Sequence, residues 1–231
     1  PFKKRKKSRA DIARERGLEP LANEIEKQPR NDSSKDLARS LVNPSIGIPD
    51  IESVWQGARD IVAERIAYDS KKRIQIRNIV RQHGKLDVKK HSKLDNVEKI
   101  KDYLGNSGRI VSISSHRYLA LCRAENKEFV KLKVVVDQTR TLQQLLRKCR
   151  YFSKSPLGKE YELAAEDALK RLLIPTAERA VRSEAKIKAD EEAIDVFERN
   201  LEALLMGAPL GSKSVLGIDP GIRTGCKVSM V

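Results

Sequence analysis

Asp219 is the residue whose type and position carry the sharpest chemical reading. It closes the apolar run Val215-Leu216-Gly217-Ile218 and is followed at once by Pro220-Gly221. A carboxylate at the end of a buried strand, beside a turn that lets a phosphate backbone approach, is how two-metal nucleases present a first magnesium ligand. One carboxylate cannot hold and space two cations, and no further acid follows before Val231. The other reading is a strand-end aspartate that accepts hydrogen bonds from its own turn, and spacing alone favours it. Asp219 is thus a vestigial metal-ligand candidate, and the sequence predicts no catalytic residue, no metal and no cofactor.

Other groupings carry less. Cys122, Cys149 and Cys226 are widely spaced and form no Cys-x-x-Cys pair, and His83, His91 and His116 lack ligand spacing, so neither a zinc site nor a disulfide framework is supported. Gly207 to Lys213 misses the phosphate-loop spacing that ends in Gly-Lys-Ser or Gly-Lys-Thr. Ser114-Ser115-His116 precedes an apolar helical run, where serine hydroxyls are ordinary N-caps. Glu191-Glu192 reads as solvated helix surface.

Charge is the stronger signal. The chain of 231 residues holds 47 basic and 32 acidic side chains, a formal charge of +15, which points to a polyanionic partner. Pro1 to Arg9 carries six of these positive charges and no acid: Lys3, Lys4, Arg5, Lys6, Lys7 and Arg9. Like charges at this density resist folding into a core, and they are the candidate nucleic-acid-binding residues. If about four of them engage duplex DNA, log affinity should fall with log salt at a slope of roughly −3 to −4. Two further basic stretches stand behind the arm. Ser70 to Lys101 has eleven Lys or Arg against three acids, and Gln138 to Lys159 has six against none. Aromatic residues make up only 4% of the chain, so base stacking has few platforms and backbone contact is the expected mode. No apolar run approaches the roughly 18 residues of a membrane span; a reducing, aqueous compartment, the cytoplasm, fits, with no membrane partner.

The elements that must position these residues are mostly helices. Ile12, Leu18, Leu21 and Ile25 fall at helical spacing, interrupted at Gly17 and Pro20 and closed by Pro29, which predicts two short helices. Asp32-Ser33-Ser34 caps another through Val42. Asp50 is an N-cap for the stripe Ile51, Val54, Trp55, Ala58, Ile61, Val62 and Ile66, which places Trp55 on the core side. Asp69-Ser70 opens a second helix that pairs with it as a hairpin and ends at Gly84. Val130, Leu132, Val134 and Val136 alternate with Lys131, Lys133 and Val135, the period of a half-buried strand. Leu142 to Leu146, Tyr161 to Leu173 and Thr176 to Met206 are read as separate helices, with Pro175 in the first turn of the last. Val215 to Asp219 reads as a buried strand and Gly225 to Val231 as its return.

Several of these blocks, in order, resemble the Tex family of transcription accessory proteins. The basic opening with Gly17-Leu18-Glu19-Pro20-Leu21-Ala22 looks like the family's connector and following block. Val42-Asn43-Pro44 and Gln56-Gly57-Ala58-Arg59-Asp60-Ile61 resemble its next helical repeat, and Ser115-His116-Arg117-Tyr118-Leu119-Ala120 is similar to its Ser-His-Arg helix. Asp190-Glu191-Glu192-Ala193-Ile194 resembles its long central helix. Leu216-Gly217-Ile218-Asp219-Pro220-Gly221 with Arg223-Thr224-Gly225 resembles the start of its YqgF, RNase H-like domain.

The resemblance implies a mainly α fold with a small strand element and a C-terminal β-hairpin that begins an RNase H-like α/β domain. The implied organisation is a basic connector over 1–9, a helical region over 10–206 and a truncated YqgF start over 214–231. Helix-hairpin-helix modules and an S1 domain belong to the complete family pattern and are missing here. The expected function is a non-catalytic nucleic-acid-binding scaffold that contacts RNA or DNA backbone, with the transcription machinery as a further partner. Two other readings stay open: a piece of a metal-dependent nuclease with Asp219 as one ligand, and a protein-docking scaffold for the transcription machinery.

Overall fold

The computed structural model describes residues 7–30, 34–91, 104–209, 211–221 and 225–231, with the backbone alone at 105–107. The fold is mainly α with small sheets, as the sequence implies. Two compact units divide the chain, Pro1–Asp190 and Glu191–Val231.

In the first unit the short helices α1 (Arg9–Glu15), α2 (Glu19–Lys27) and α3 (Ser34–Ser40) precede α4 (Ile51–Tyr68). Ser8 and Asp11 close a reciprocal capping box on α1, and Asp50 caps α4 through the Ser53 N–H at 2.7 Å. Val54, Ala58, Ile61, Val62 and Ile66 of α4 are buried, whereas Ile51 is exposed and Trp55 is half-buried at the edge of the core. α4 packs against α1, α2 and α8 (Gly158–Asp167).

α5 (Ser70–His83) follows α4 after Asp69 alone, whose carboxylate caps it. Gly84 then ends α5, but not in the left-handed conformation usual for a terminal glycine: its φ is −64°. Its role is close approach. A Cβ there would lie 2.2 Å from the Val80 carbonyl and 2.6 Å from Val134 Cγ1, so only a glycine lets the helix end sit against the sheet.

That sheet contains two strands besides the one the alternating pattern predicts. β1 (Lys85–Lys90), β2 (Gly105–Arg109) and β3 (Val130–Val135) form an antiparallel sheet in the order β2-β1-β3. Leu86, Val88, Val130, Leu132 and Val134 bury one face. β3 is an edge strand, and side chains block its free side: the Leu132 N–H donates to Glu125 Oε1 at 3.0 Å and the Val134 N–H to Glu178 Oε1 at 2.8 Å. Such cover keeps an edge from templating further strands.

α6 (Ser115–Asn126) lies between β2 and β3, and α7 (Gln138–Lys148) follows β3, capped by Asp137 through the Arg140 N–H at 3.0 Å. Ser114 stands at the N-cap of α6, yet its hydroxyl makes no capping bond. The predicted break at Pro175 does not occur. α8 runs through a π-helical turn at Ala168–Leu173 into α9 (Ile174–Leu205) without interruption. The wider turn directly before Pro175 is where its missing N–H and its ring are accommodated.

In the second unit, β4 (Leu216–Pro220) pairs antiparallel with β5 (Cys226–Met230). The expectation of a buried strand here is corrected: every residue of both strands is exposed. Two strands make no second layer to bury either face.

Candidate nucleic-acid interface

Of the six predicted binding residues, Lys3, Lys4, Arg5 and Lys6 lie outside the described residues. Lys7 pairs with Glu15 at 2.7 Å, both side chains exposed, and Arg9 opens α1 with its side chain exposed. Ser8 between them donates its hydroxyl to Glu64 Oε1 at 2.8 Å. The end of the basic arm is thereby pinned to α4, through one of two buried carboxylates on that helix.

Glu64 also meets Arg14 at 2.7 Å. The other carboxylate, Asp60, is held by Arg171 and Gln56 only at 3.4 Å each. Burial pushes its pKa above the ordinary aspartate range, and Arg171 opposes that shift. Asp60, Glu64 and Arg171 line a cavity of about 450 Å³ beside Ser70, Thr176 and Arg73. Arg14 joins α1 to α4 through Glu64, and Arg171 joins the π-helical turn to α4 through Asp60.

A surface of a different kind covers the sheet. Because side chains alternate along a strand, the burial of Leu86, Val88, Leu132 and Val134 turns Lys85, Asp87 and Lys89 of β1 outward with Lys131, Lys133 and Val135 of β3. The register puts Lys89 opposite Lys131, Asp87 opposite Lys133 and Lys85 opposite Val135. Four lysines therefore share this face with a single acid, and Asp87 reaches Lys89 at 3.5 Å. Lys85, Lys131 and Lys133 hold no ion pair among the described residues. Like charges set opposite one another destabilise a sheet, and Lys89 faces Lys131 in this way. No aromatic side chain is among the outward residues of β1 and β3.

Groups with possible covalent or metal chemistry are not gathered among the described residues. Asp219 is exposed on β4 opposite Lys227. Among the described residues no cluster of three or more His, Cys, Asp or Glu is placed to hold a metal. Burial raises the thiol pKa of Cys122 and Cys149, which makes both poor nucleophiles. Ser114 Oγ lies 3.4 Å from His116 Nε2, a long contact between exposed side chains.

The comparison with known proteins accords with this architecture. Residues 29–197 match the family model described as Tex central region-like. The chain belongs to the Tex family. Among Tex relatives, Protein tex of Bordetella pertussis is 34% identical over 249 residues, and the uncharacterized protein YdcI of Bacillus subtilis is 33% identical over 235. Both comparisons cover 100% of this chain, which spans about a third of each relative, 31% and 32% respectively. The human S1 RNA-binding domain-containing protein 1 is 29% identical over 248 residues, 24% of its own length. No helix among the described residues is long and apolar enough to cross a membrane.

The lysine face was only half visible in the sequence. The Lys131/Lys133 alternation placed two lysines on one side of β3, and the basic excess of Ser70 to Lys101 included Lys85 and Lys89. Their convergence needed the β1/β3 register, a long-range pairing that no local pattern encodes.

Proposed function

We propose that this Tex-family chain is a non-catalytic nucleic-acid-binding segment, a scaffold that holds RNA or DNA through its phosphates. The observation that carries the reading is the outward face of β1 and β3, with four lysines and one acid set on a rigid sheet. Counterion release rewards each lysine placed against a phosphate. The basic arm ahead of α1 adds sequence-independent contacts, tethered where Ser8 bonds Glu64. We place this role beside the transcription machinery and in the cytoplasm; a relative from Neisseria gonorrhoeae is named a transcriptional accessory protein.

The test is a fluorescence anisotropy titration of labelled RNA and DNA of several sequences. The parent chain is compared with K89Q/K131Q/K133Q and with a variant whose six arm cations are Gln. The reading expects weaker binding in both variants and little dependence on base sequence. Undiminished binding by the sheet variant would remove this face from the function.

A further inference from the structure

The lysine face ends at a cleft of about 480 Å³ between the end of α5, the sheet and the first turns of α7. Lys85 from β1, Arg109 from β2 and Arg140 from α7 line it, with His83 at the end of α5. The side chains of these four residues enter no hydrogen bond or ion pair among the described residues. Among the described residues one acid lines it, Asp137, whose carboxylate is engaged with the Arg140 backbone N–H at 3.0 Å. Ile79, Val135 and Val136 form an apolar wall.

Volume and charge narrow the ligand. The space lies within the range of small-molecule sites, roughly 300–1,000 Å³, and exceeds what a bare phosphate fills. Three permanent cations less one carboxylate leave a surplus of two positive charges. A terminal phosphomonoester carries about −1.5 to −2 at neutral pH, whereas an internal phosphodiester carries one negative charge. The cleft therefore matches a phosphate at a chain end better than one inside a strand.

We propose that this cleft binds a 5′-phosphorylated nucleotide, its phosphoryl group among Lys85, Arg109 and Arg140 and its sugar and base along Ile79, Val135 and Val136. The proposal deepens the nucleic-acid reading and, in its macromolecular form, rests on it. The nucleotide comes from one of two sources, the end of a strand that crosses the lysine face or a free mononucleotide.

The experiment titrates the whole chain with a short single-stranded RNA bearing a 5′-phosphate and with the same RNA bearing a 5′-hydroxyl. Calorimetry with a 5′-mononucleotide and its unphosphorylated nucleoside runs beside it. All are repeated with R109Q/R140Q, its fold checked by circular dichroism, and with R140Q alone should the double variant fail to fold. Binding of the phosphorylated RNA should be about tenfold tighter, the worth of one charge-assisted hydrogen bond, and the variant should lose that preference. Mononucleotide binding that the variant abolishes supports the free source. Equal affinity for the two RNAs with no mononucleotide binding overturns the cleft and leaves the nucleic-acid reading standing. If neither RNA binds, that reading fails, and the mononucleotide titration decides the cleft alone.

Discussion

Lys89 stands directly opposite Lys131 across the β1/β3 pair, two like charges on one solvent face. Cross-strand repulsion of this kind costs a few tenths to about 1 kcal/mol. Lys131→Gln is therefore expected to raise the melting temperature slightly while weakening nucleic-acid binding. Thermal unfolding and a binding titration on the same sample check both signs. A variant that loses stability and keeps full affinity would show the lysine to be structural.

Gly84 supports the same face from behind, because the end of α5 can approach Val134 only where no Cβ intervenes. Its φ of −64° suits any residue, so the effect of Gly84→Ala is one of crowding. Overpacking of this kind costs about 1–3 kcal/mol, measurable by denaturant unfolding. A neutral substitution would mean that the helix end and the sheet separate without penalty.

The helices and some of their caps were legible locally, since Asp50 and Asp69 stand at N-caps and α4 shows its stripe in sequence, whereas Ser114 makes no capping bond. The sheet was legible only at β3. β1 carries Lys85, Asp87, Lys89 and Lys90 around just two apolar residues, and its strand character comes from pairing on both sides with β2 and β3. Continuity through Pro175 was hidden for another reason: a proline reads as a helix start, and the π-helical turn that receives it has no sequence signature. The burial of Asp60 was equally hidden, for its partner Arg171 lies far along the chain. The arm residues Lys3, Lys4, Arg5 and Lys6 were named from charge alone and lie outside the described residues.

Asp60 links that buried network to pH. Burial raises its folded pKa above the unfolded value of 3.8, with the Arg171 charge opposing. A carboxyl shifted upward favours the folded state while protonated, so its contribution is complete below the unfolded pKa and is lost as pH rises through the folded one. Asp60→Asn removes this dependence. The stability of the variant relative to the parent should rise between acidic and neutral pH, as read by urea unfolding at both. A relative stability that falls over that range would show that pairing with Arg171 outweighs burial.

Asp219 sits exposed on β4 opposite Lys227, with no cluster of potential ligands around it among the described residues. The chain is expected to show no magnesium- or manganese-dependent cleavage of RNA or DNA, and Asp219→Asn should leave any trace signal as it was. Cleavage that disappears with this substitution would favour the nuclease reading.

Phosphate binding by the lysine face is tested most directly by the salt dependence of duplex DNA affinity for the parent and for K89Q/K131Q/K133Q. Each lysine that contacts a phosphate contributes about 0.9 to the magnitude of the slope of log affinity against log salt. The triple variant should therefore have a slope shallower by roughly 2 to 3, with similar losses for different base sequences. An identical slope in the two proteins would contradict the account.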